Sequence, residues 1–205
     1  MKILALDGMG VIYSAKDDVL ELLCPFIAEK GGTKDVELVQ KIYLSASLGE
    51  ISSAAFWRAV KTDPELENEY LGRHRLTEGS LEFLDALHSQ DIQVWLLSND
   101  ISEWARKLRG QFGLDKYFQG FIVSGDVHGR KPGFMIYHYL LKKSEISPQD
   151  IVFVDDRPKN LDSAAKLGLQ TVLFEAGSAG GKKYGHDAIS SFSELLKWLK
   201  DNGEP

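Results

Sequence analysis

Asp7 ends the apolar run Ile3-Leu4-Ala5-Leu6 and is followed at once by Gly8-Met9-Gly10. The run reads as a buried strand and the glycines as a tight turn at its carboxyl end. A carboxylate carried to such a point can attack an electrophile or ligate a hard cation. Three more chemically capable groups occur in related settings. Ser98-Asn99-Asp100 follows the apolar run 92–97, where a hydroxyl and turn amides can bind the oxygens of an anion. Lys131 precedes Pro132-Gly133, a helix-start signal, and can present a point charge to a phosphate or to clustered carboxylates. Asp155-Asp156 follows the apolar run 151–154. Two adjacent carboxylates there repel unless a cation pairs with them, and Mg²⁺ is the natural partner. Each group alone has a plain structural reading: a turn, a solvated lysine, an acidic first helical turn. Together they form an ordered set, with three of the four directly at strand ends, and such a set converges on one site in an open parallel sheet.

The elements that must position these groups are legible in the hydrophobic pattern. Runs at 3–6, 92–97, 151–154 and 171–174, with a weaker one at 121–123, read as buried parallel strands. Helical stripes lie between them: Ile101, Trp104, Ala105 and Leu108; Ile136, Tyr139, Leu140 and Lys143; Leu161, Ala164, Ala165 and Leu167. The alternation predicts an α/β fold with a doubly wound parallel sheet. Residues 14–79 differ, offering amphipathic helices marked by Val19 to Ile27, Val36 to Tyr43 and Ile51 to Val60, the last opened by Ser52 or Ser53. The expected organisation is therefore a core of residues 1–13 and 80–205 and a helical cap of residues 14–79. The Gly-, Ser- and Lys-rich stretch 176–185 reads as a loop.

Composition narrows the function classes. A formal charge of −6 with scattered Lys and Arg argues against nucleic acid and against a membrane surface. No stretch reaches the roughly 20 apolar residues that span a bilayer, and the first apolar run is too short for a signal peptide. The lone cysteine, Cys24, reads as a small buried hydrophobe and fits a reducing compartment. A cytoplasmic protein is expected, monomer or homodimer.

The motifs Asp7-Gly-Met-Gly-Val, Ser98-Asn99, Lys131-Pro132 and Val154-Asp155-Asp156 resemble those of the haloacid dehalogenase (HAD) superfamily, with its Rossmann-type core, over essentially the whole chain. The helical insert is similar to the small cap of its subfamily I. The stretch Leu48-Gly49-Glu50-Ile51-Ser52 through Phe56-Trp57 resembles the caps of sugar-phosphatase-like members and of the phosphatase domain of epoxide hydrolases. The resemblance implies that Asp7 attacks phosphorus and forms an aspartyl-phosphate. It implies that Ser98 binds a phosphoryl oxygen, that Gly8 and Asn99 line the phosphoryl pocket, and that Lys131 holds nucleophile and phosphoryl group together. It further implies a Mg²⁺ held by Asp7, Asp156 and the backbone carbonyl of Met9, with Asp155 orienting a water ligand. The substrate would be a small phosphorylated metabolite.

Met9 departs from the pattern. Phosphatases of this family carry a second aspartate there to protonate the leaving alcohol and then activate water, and a thioether does neither. Proton transfer of this kind is typically worth about 10²–10⁴-fold, roughly 3–5 kcal/mol of barrier. The leading expectation is a phosphohydrolase working without its usual acid. The alternative is a catalytically impaired phosphate-binding or regulatory protein. A 2-haloacid dehalogenase is disfavoured by the Asp155-Asp156 pair, and phosphonate cleavage would require a cap lysine such as Lys41 or Lys61. A carboxylate of the cap or of Asp17-Asp18 could substitute for the missing acid, although the plain reading of Asp17 and Asp18 is acidic first-turn residues of the first cap helix. Glu50 and Arg58 read as surface charges and Trp57 as bundle core.

Overall fold

The computed structural model describes residues 2–88, 90, 92–177 and 181–202. Among them the sheet has seven strands: β1 (Ile3–Leu6), β2 (Gln93–Ser98), β3 (Gly120–Val123), β4 (Ile151–Asp155), β5 (Gln170–Phe174), β6 (Gly181–Lys183) and β7 (His186–Ile189). Their order is β3-β2-β1-β4-β5-β7-β6, parallel throughout except for the β6–β7 pair. Ala5 lies in register with Trp95 on one side and Phe153 on the other. The chain builds outward from β1 through β2 to β3, then crosses back to lay β4 on the opposite flank. That reversal opens a crevice at the carboxyl ends of β1 and β4, where such sheets bind ligands.

The helices are α1 (Cys24–Glu29), α2 (Val36–Ser47), α3 (Ser53–Ala59), α4 (Glu67–Leu71), α5 (Ser80–His88), α6 (Ser102–Gln111), α7 (Ser124–Val127), α8 (Phe134–Ser144), α9 (Pro158–Lys166) and α10 (Phe192–Asn202). Alternation along each strand sends side chains to opposite faces. Leu4, Leu6, Leu96, Val152 and Val154 pack with Leu84, Leu108 and Leu195 of α5, α6 and α10. Ile3, Ala5, Leu97, Ile151 and Phe153 pack with Ile136, Leu140 and Leu161 of α8 and α9. Both faces are covered, which is why the strands read as unbroken apolar runs.

Between β1 and α5 the chain is helical. Asp35 caps α2 by accepting from the Leu38 amide at 3.1 Å, and Ser52 caps α3 by accepting from the Ala55 amide at 3.2 Å. The aromatic rings of Phe26, Phe56, Trp57 and Tyr70 pack with Trp104 of α6, with centroids 4.9–5.8 Å apart. Trp57 is fully buried in this cluster, as its sequence setting predicts. Ser124 adds a polar tie by donating its hydroxyl to the Ser47 carbonyl at 2.6 Å.

Several local expectations are corrected. The first cap helix divides into a π-helical turn, Val19–Leu23, running into α1 at Pro25. On α8 the buried partner of Ile136 and Leu140 is Tyr137, while Tyr139 is exposed; on α9 Asn160 replaces Ala165 on the inner face. Pro132 does not start α8. The Gly133 amide donates to the Arg130 carbonyl at 2.8 Å, closing a turn that leaves Gly133 as the cap and Phe134 as the first helical residue. The stretch 176–185, of which 178–180 lie outside the described residues, contains β6 rather than loop alone.

Candidate active site

Lys131 joins three strand ends through a single ammonium. Its Nζ lies 2.7 Å from Asp7 Oδ1 and 2.8 Å from Asp155 Oδ2, and donates to the Leu97 carbonyl at 2.7 Å. These partners close β1, β4 and β2. The Gly8 amide donates to the same Asp7 Oδ1 at 2.6 Å, fixing the carboxylate toward the turn. All three charged groups are buried. Burial, then the charge of Asp155, raises the Asp7 carboxyl well above the usual range, with Lys131 pulling the other way. Burial also works against the Lys131 charge, but the Asp155 and Asp7 carboxylates outweigh it and hold the ammonium above its ordinary value.

Asn99 holds the loop that carries Lys131. Its amide nitrogen donates to the Lys131 carbonyl at 2.9 Å and its oxygen accepts from the Lys131 amide at 2.8 Å. Residue 99 therefore works through its side chain, a role that its place after a strand does not announce. Ser98 is buried beside the nucleophile turn; a Cβ on Gly8 would come within 2.6 Å of its hydroxyl. That close approach requires glycine at position 8.

The two acidic residues after β4 divide their tasks. Asp155 accepts from the Arg157 amide at 2.8 Å, from the Asn160 side chain at 3.0 Å and from Lys131. Asp156 Oδ1, by contrast, is buried and has no hydrogen-bond partner among the described residues. Burial, then the neighbouring Asp155 charge, pushes the Asp156 carboxyl up to about 6. Asp7, Asp155 and Asp156 each offer an oxygen within 4.8 Å of the others. A buried carboxylate oxygen with no hydrogen bond and only a 4.0 Å ion pair to Arg157 Nε, in an all-oxygen donor set, fits a hard divalent cation. Gly10, at φ +78°, keeps this spot open, since a Cβ there would collide with the Asp156 carboxylate.

A cavity of about 280 Å³ opens from this cluster. Asp7, Met9, Asn99 and Asn160 lie on its wall together with Arg130, Arg157, Asp17, Asp18, Gln40, Tyr43 and Leu44. Met9 is buried and lends the cavity an apolar patch beside the nucleophile. Lys41, Lys61, Glu50, Trp57 and Arg58 are not among its lining residues. Arg130, Arg157 and Asn160 escaped sequence reasoning as site residues. The first two adjoin motif residues, and Asn160 is five residues beyond Asp155 on α9, so proximity to a motif was the available signal. Asp17 and Asp18, candidate substitutes for the missing acid, both lie on the cavity wall.

A family model for haloacid dehalogenase-like hydrolases matches residues 1–168, so the chain belongs to that family. Glyceraldehyde 3-phosphate phosphatase of Pyrococcus furiosus is 29% identical over 112 residues, covering 51% of this chain and 46% of that protein. The chain spans about half the length, or less, of this and other curated relatives. A HAD phosphatase from Thermococcus onnurineus superposes with a TM-score of 0.76 at 21% identity, covering 97% of this chain and 98% of the other. A HAD family enzyme from Bacteroides thetaiotaomicron, in complex with magnesium and inorganic phosphate, gives 0.74 at 22% identity, covering 87% and 96%. At these identities the structural likeness establishes a shared fold.

Proposed function

We propose that the chain is a Mg²⁺-dependent phosphohydrolase that transfers the phosphoryl group of a small phosphorylated metabolite to Asp7 and then to water. The observation that carries this reading is the Asp7 carboxylate at the end of β1, held 2.7 Å from a buried ammonium and open to a polar cavity. Attack on phosphorus needs a carboxylate whose charge is held in place, and a phosphoryl group needs fixed cations and donors around its oxygens. Lys131 serves both needs. Ser98 and the turn amides after Asp7 supply neutral donors, while Arg130 and Arg157 place further positive charge on the cavity wall. Asp7, Asp156 and the Met9 carbonyl would hold the cation, and Asp155 would position its water ligand. When bound, Mg²⁺ supplies positive charge against the phosphoryl oxygens and lowers the acidic cluster's self-repulsion. The complex of the Bacteroides thetaiotaomicron relative with magnesium and inorganic phosphate supports the same assignment here. Residues 14–79 act as the cap that closes over the substrate, and 1–13 with 80–205 as the catalytic core.

The second reading, a phosphate-binding protein without turnover, draws on one observation: the side chain at position 9 has no ionisable group. Phosphate release from an aryl phosphate with Mg²⁺ separates the two. The expected result is turnover that needs both the metal and Asp7, abolished in Asp7→Asn. Phosphate binding without any release in the wild type, with release appearing in Met9→Asp, would establish the binding protein instead.

A further inference from the structure

The cavity wall facing the nucleophile holds a carboxyl group that the motifs do not account for. Asp17 and Asp18 are consecutive, but they do different work. Asp17 caps the π-helical turn, with its Oδ1 accepting from the Leu20 amide at 3.1 Å, and pairs with Arg157 at 4.0 Å. Asp18 stands at the cap position itself yet makes no side-chain capping bond. It is 6% exposed, lies on the same cavity wall as Asp7 and Met9, and receives the Tyr70 hydroxyl on Oδ2 at 3.4 Å. Tyr70 is fully buried in the aromatic cluster, so this contact anchors the carboxyl to a rigid element. A π-helical segment is rare and frequently marks a functional site. Here it begins at the residue directly after Asp18.

We propose that Asp18 is the proton-transfer residue that stands in for the missing aspartate at position 9, an assignment that rests on the phosphohydrolase reading above. In the first half-reaction Asp7 forms a bond to phosphorus, the bond from phosphorus to the leaving oxygen breaks, and protonated Asp18 gives its proton to that oxygen. The alcohol departs. In the second, the Asp18 carboxylate takes a proton from water as the water oxygen attacks phosphorus. The Asp7–phosphorus bond breaks, inorganic phosphate leaves, and Asp7 carboxylate and protonated Asp18 are restored.

The electrostatic setting suits a group that must hold and release a proton near neutrality. Burial, with the charge of Asp17 next, raises the Asp18 carboxyl to about 6, against the opposing pull of Arg157 and nearby amides. Tyr43 of α2, Tyr70 of α4 and Asp100 beyond β2 also feel the Asp18 charge. Burial holds both phenols and the Asp100 carboxyl well above their usual ranges, and neither Tyr70 nor Asp100 is among the residues lining the cavity.

The decisive measurement is the dependence of turnover on the leaving group. Wild type, Asp18→Asn, Met9→Asp and the double variant are assayed with Mg²⁺ on p-nitrophenyl phosphate and on a series of alkyl phosphate monoesters. A nitrophenolate leaves without a proton and an alkoxide does not. Asp18→Asn is expected to lower kcat/KM, which covers the steps through departure of the leaving group, by about 10²–10⁴-fold on alkyl esters and by less than tenfold on the aryl ester. On the aryl ester kcat falls through the second half-reaction alone and follows a burst of nitrophenolate. The retained aryl activity also reports that the variant is folded. Met9→Asp in the Asp18→Asn background is expected to restore alkyl turnover at least tenfold. Equal losses of kcat/KM on both ester classes, or an unchanged alkyl kcat/KM, overturn the role of Asp18 and leave the phosphohydrolase standing. A wild type that releases no phosphate from any ester overturns that reading and the Asp18 assignment with it.

Discussion

At the scale of single residues the site is organised around one buried cation, and its removal has a calculable sign. In Lys131→Met the Asp7 and Asp155 carboxylates are left in the interior without their shared partner. Breaking a buried pair in this way costs about 3–5 kcal/mol at neutral pH. Burial and the Asp155 charge already hold Asp7 well above the usual carboxylate range, so its uptake of a proton as the pH falls relieves the repulsion. Urea unfolding of the variant at pH 8 and pH 5 is therefore expected to show a deficit against wild type that narrows at the lower pH. A deficit independent of pH would mean that the loss is one of packing alone. The residues of this cluster were legible because Asp7, Ser98 and Asp155-Asp156 each follow an apolar run, a one-dimensional signature of a strand end. Asn160, the side-chain role of Asn99 and the choice of Asp18 over Asp17 were not, because they depend on side-chain direction. Nothing in Asp17-Asp18 tells which of two adjacent carboxylates caps a helix and which turns into the cavity.

At the scale of elements the question is what holds the helical insert to the sheet layer above which it sits. Glu67 of α4 accepts from Trp57 Nε1 of α3 at 3.0 Å and from Trp104 Nε1 of α6 at 2.8 Å, and pairs with Lys107 at 2.6 Å. One carboxylate thus ties two insert helices to a helix of the sheet layer. Glu67→Leu leaves two indole N–H groups without an acceptor, at about 1–3 kcal/mol for each orphaned donor. Glu67→Gln keeps one carbonyl oxygen and is expected to lose less. Denaturant unfolding midpoints order the three proteins, and equal midpoints for both variants would assign the effect to the lost charge with Lys107 instead. Helices of this kind were readable from their 3.6-residue stripes and caps, as Ser52 shows. The β6–β7 hairpin was not. Its strands are short and polar, at Gly181–Lys183 and His186–Ile189, and become strands by adding to the edge at β5. The local signal was present in the two-residue turn, where Tyr184 and Gly185 both have positive φ, at 52° and 85°. Such turns favour glycine and asparagine, and a tyrosine in the first position hid the hairpin.

At the scale of the whole molecule, acid tolerance is a contest between buried groups of opposite sign. His74 sits between Tyr13 and Tyr70, 1% exposed, with Nδ1 donating to the Leu71 carbonyl at 3.2 Å and Nε2 buried without a partner among the described residues. A second proton would have no acceptor to meet, and burial lowers the imidazole to about 4. The unfolded chain binds that proton near the ordinary value of 6.5, so His74 costs stability progressively as the pH falls from about 6.5 to 4. The full cost approaches about 3 kcal/mol, from 1.36 kcal/mol for each unit of displacement. Asp18 and Asp156 act in the other direction. Their raised values, each about 6 through burial, penalise the folded state above that pH, and protonation between 6 and 3.8 removes the penalty. Two carboxyls displaced by about two units each outweigh one imidazole displaced by a similar amount, so wild type is expected to gain stability between pH 6 and 4. His74→Phe keeps a ring in the cluster and removes one side of the contest. Its stability relative to wild type should rise as the pH is lowered through that window, read from urea unfolding at half-unit steps. A variant that tracks wild type at every pH would show that His74 takes up its proton in the fold as readily as in the open chain.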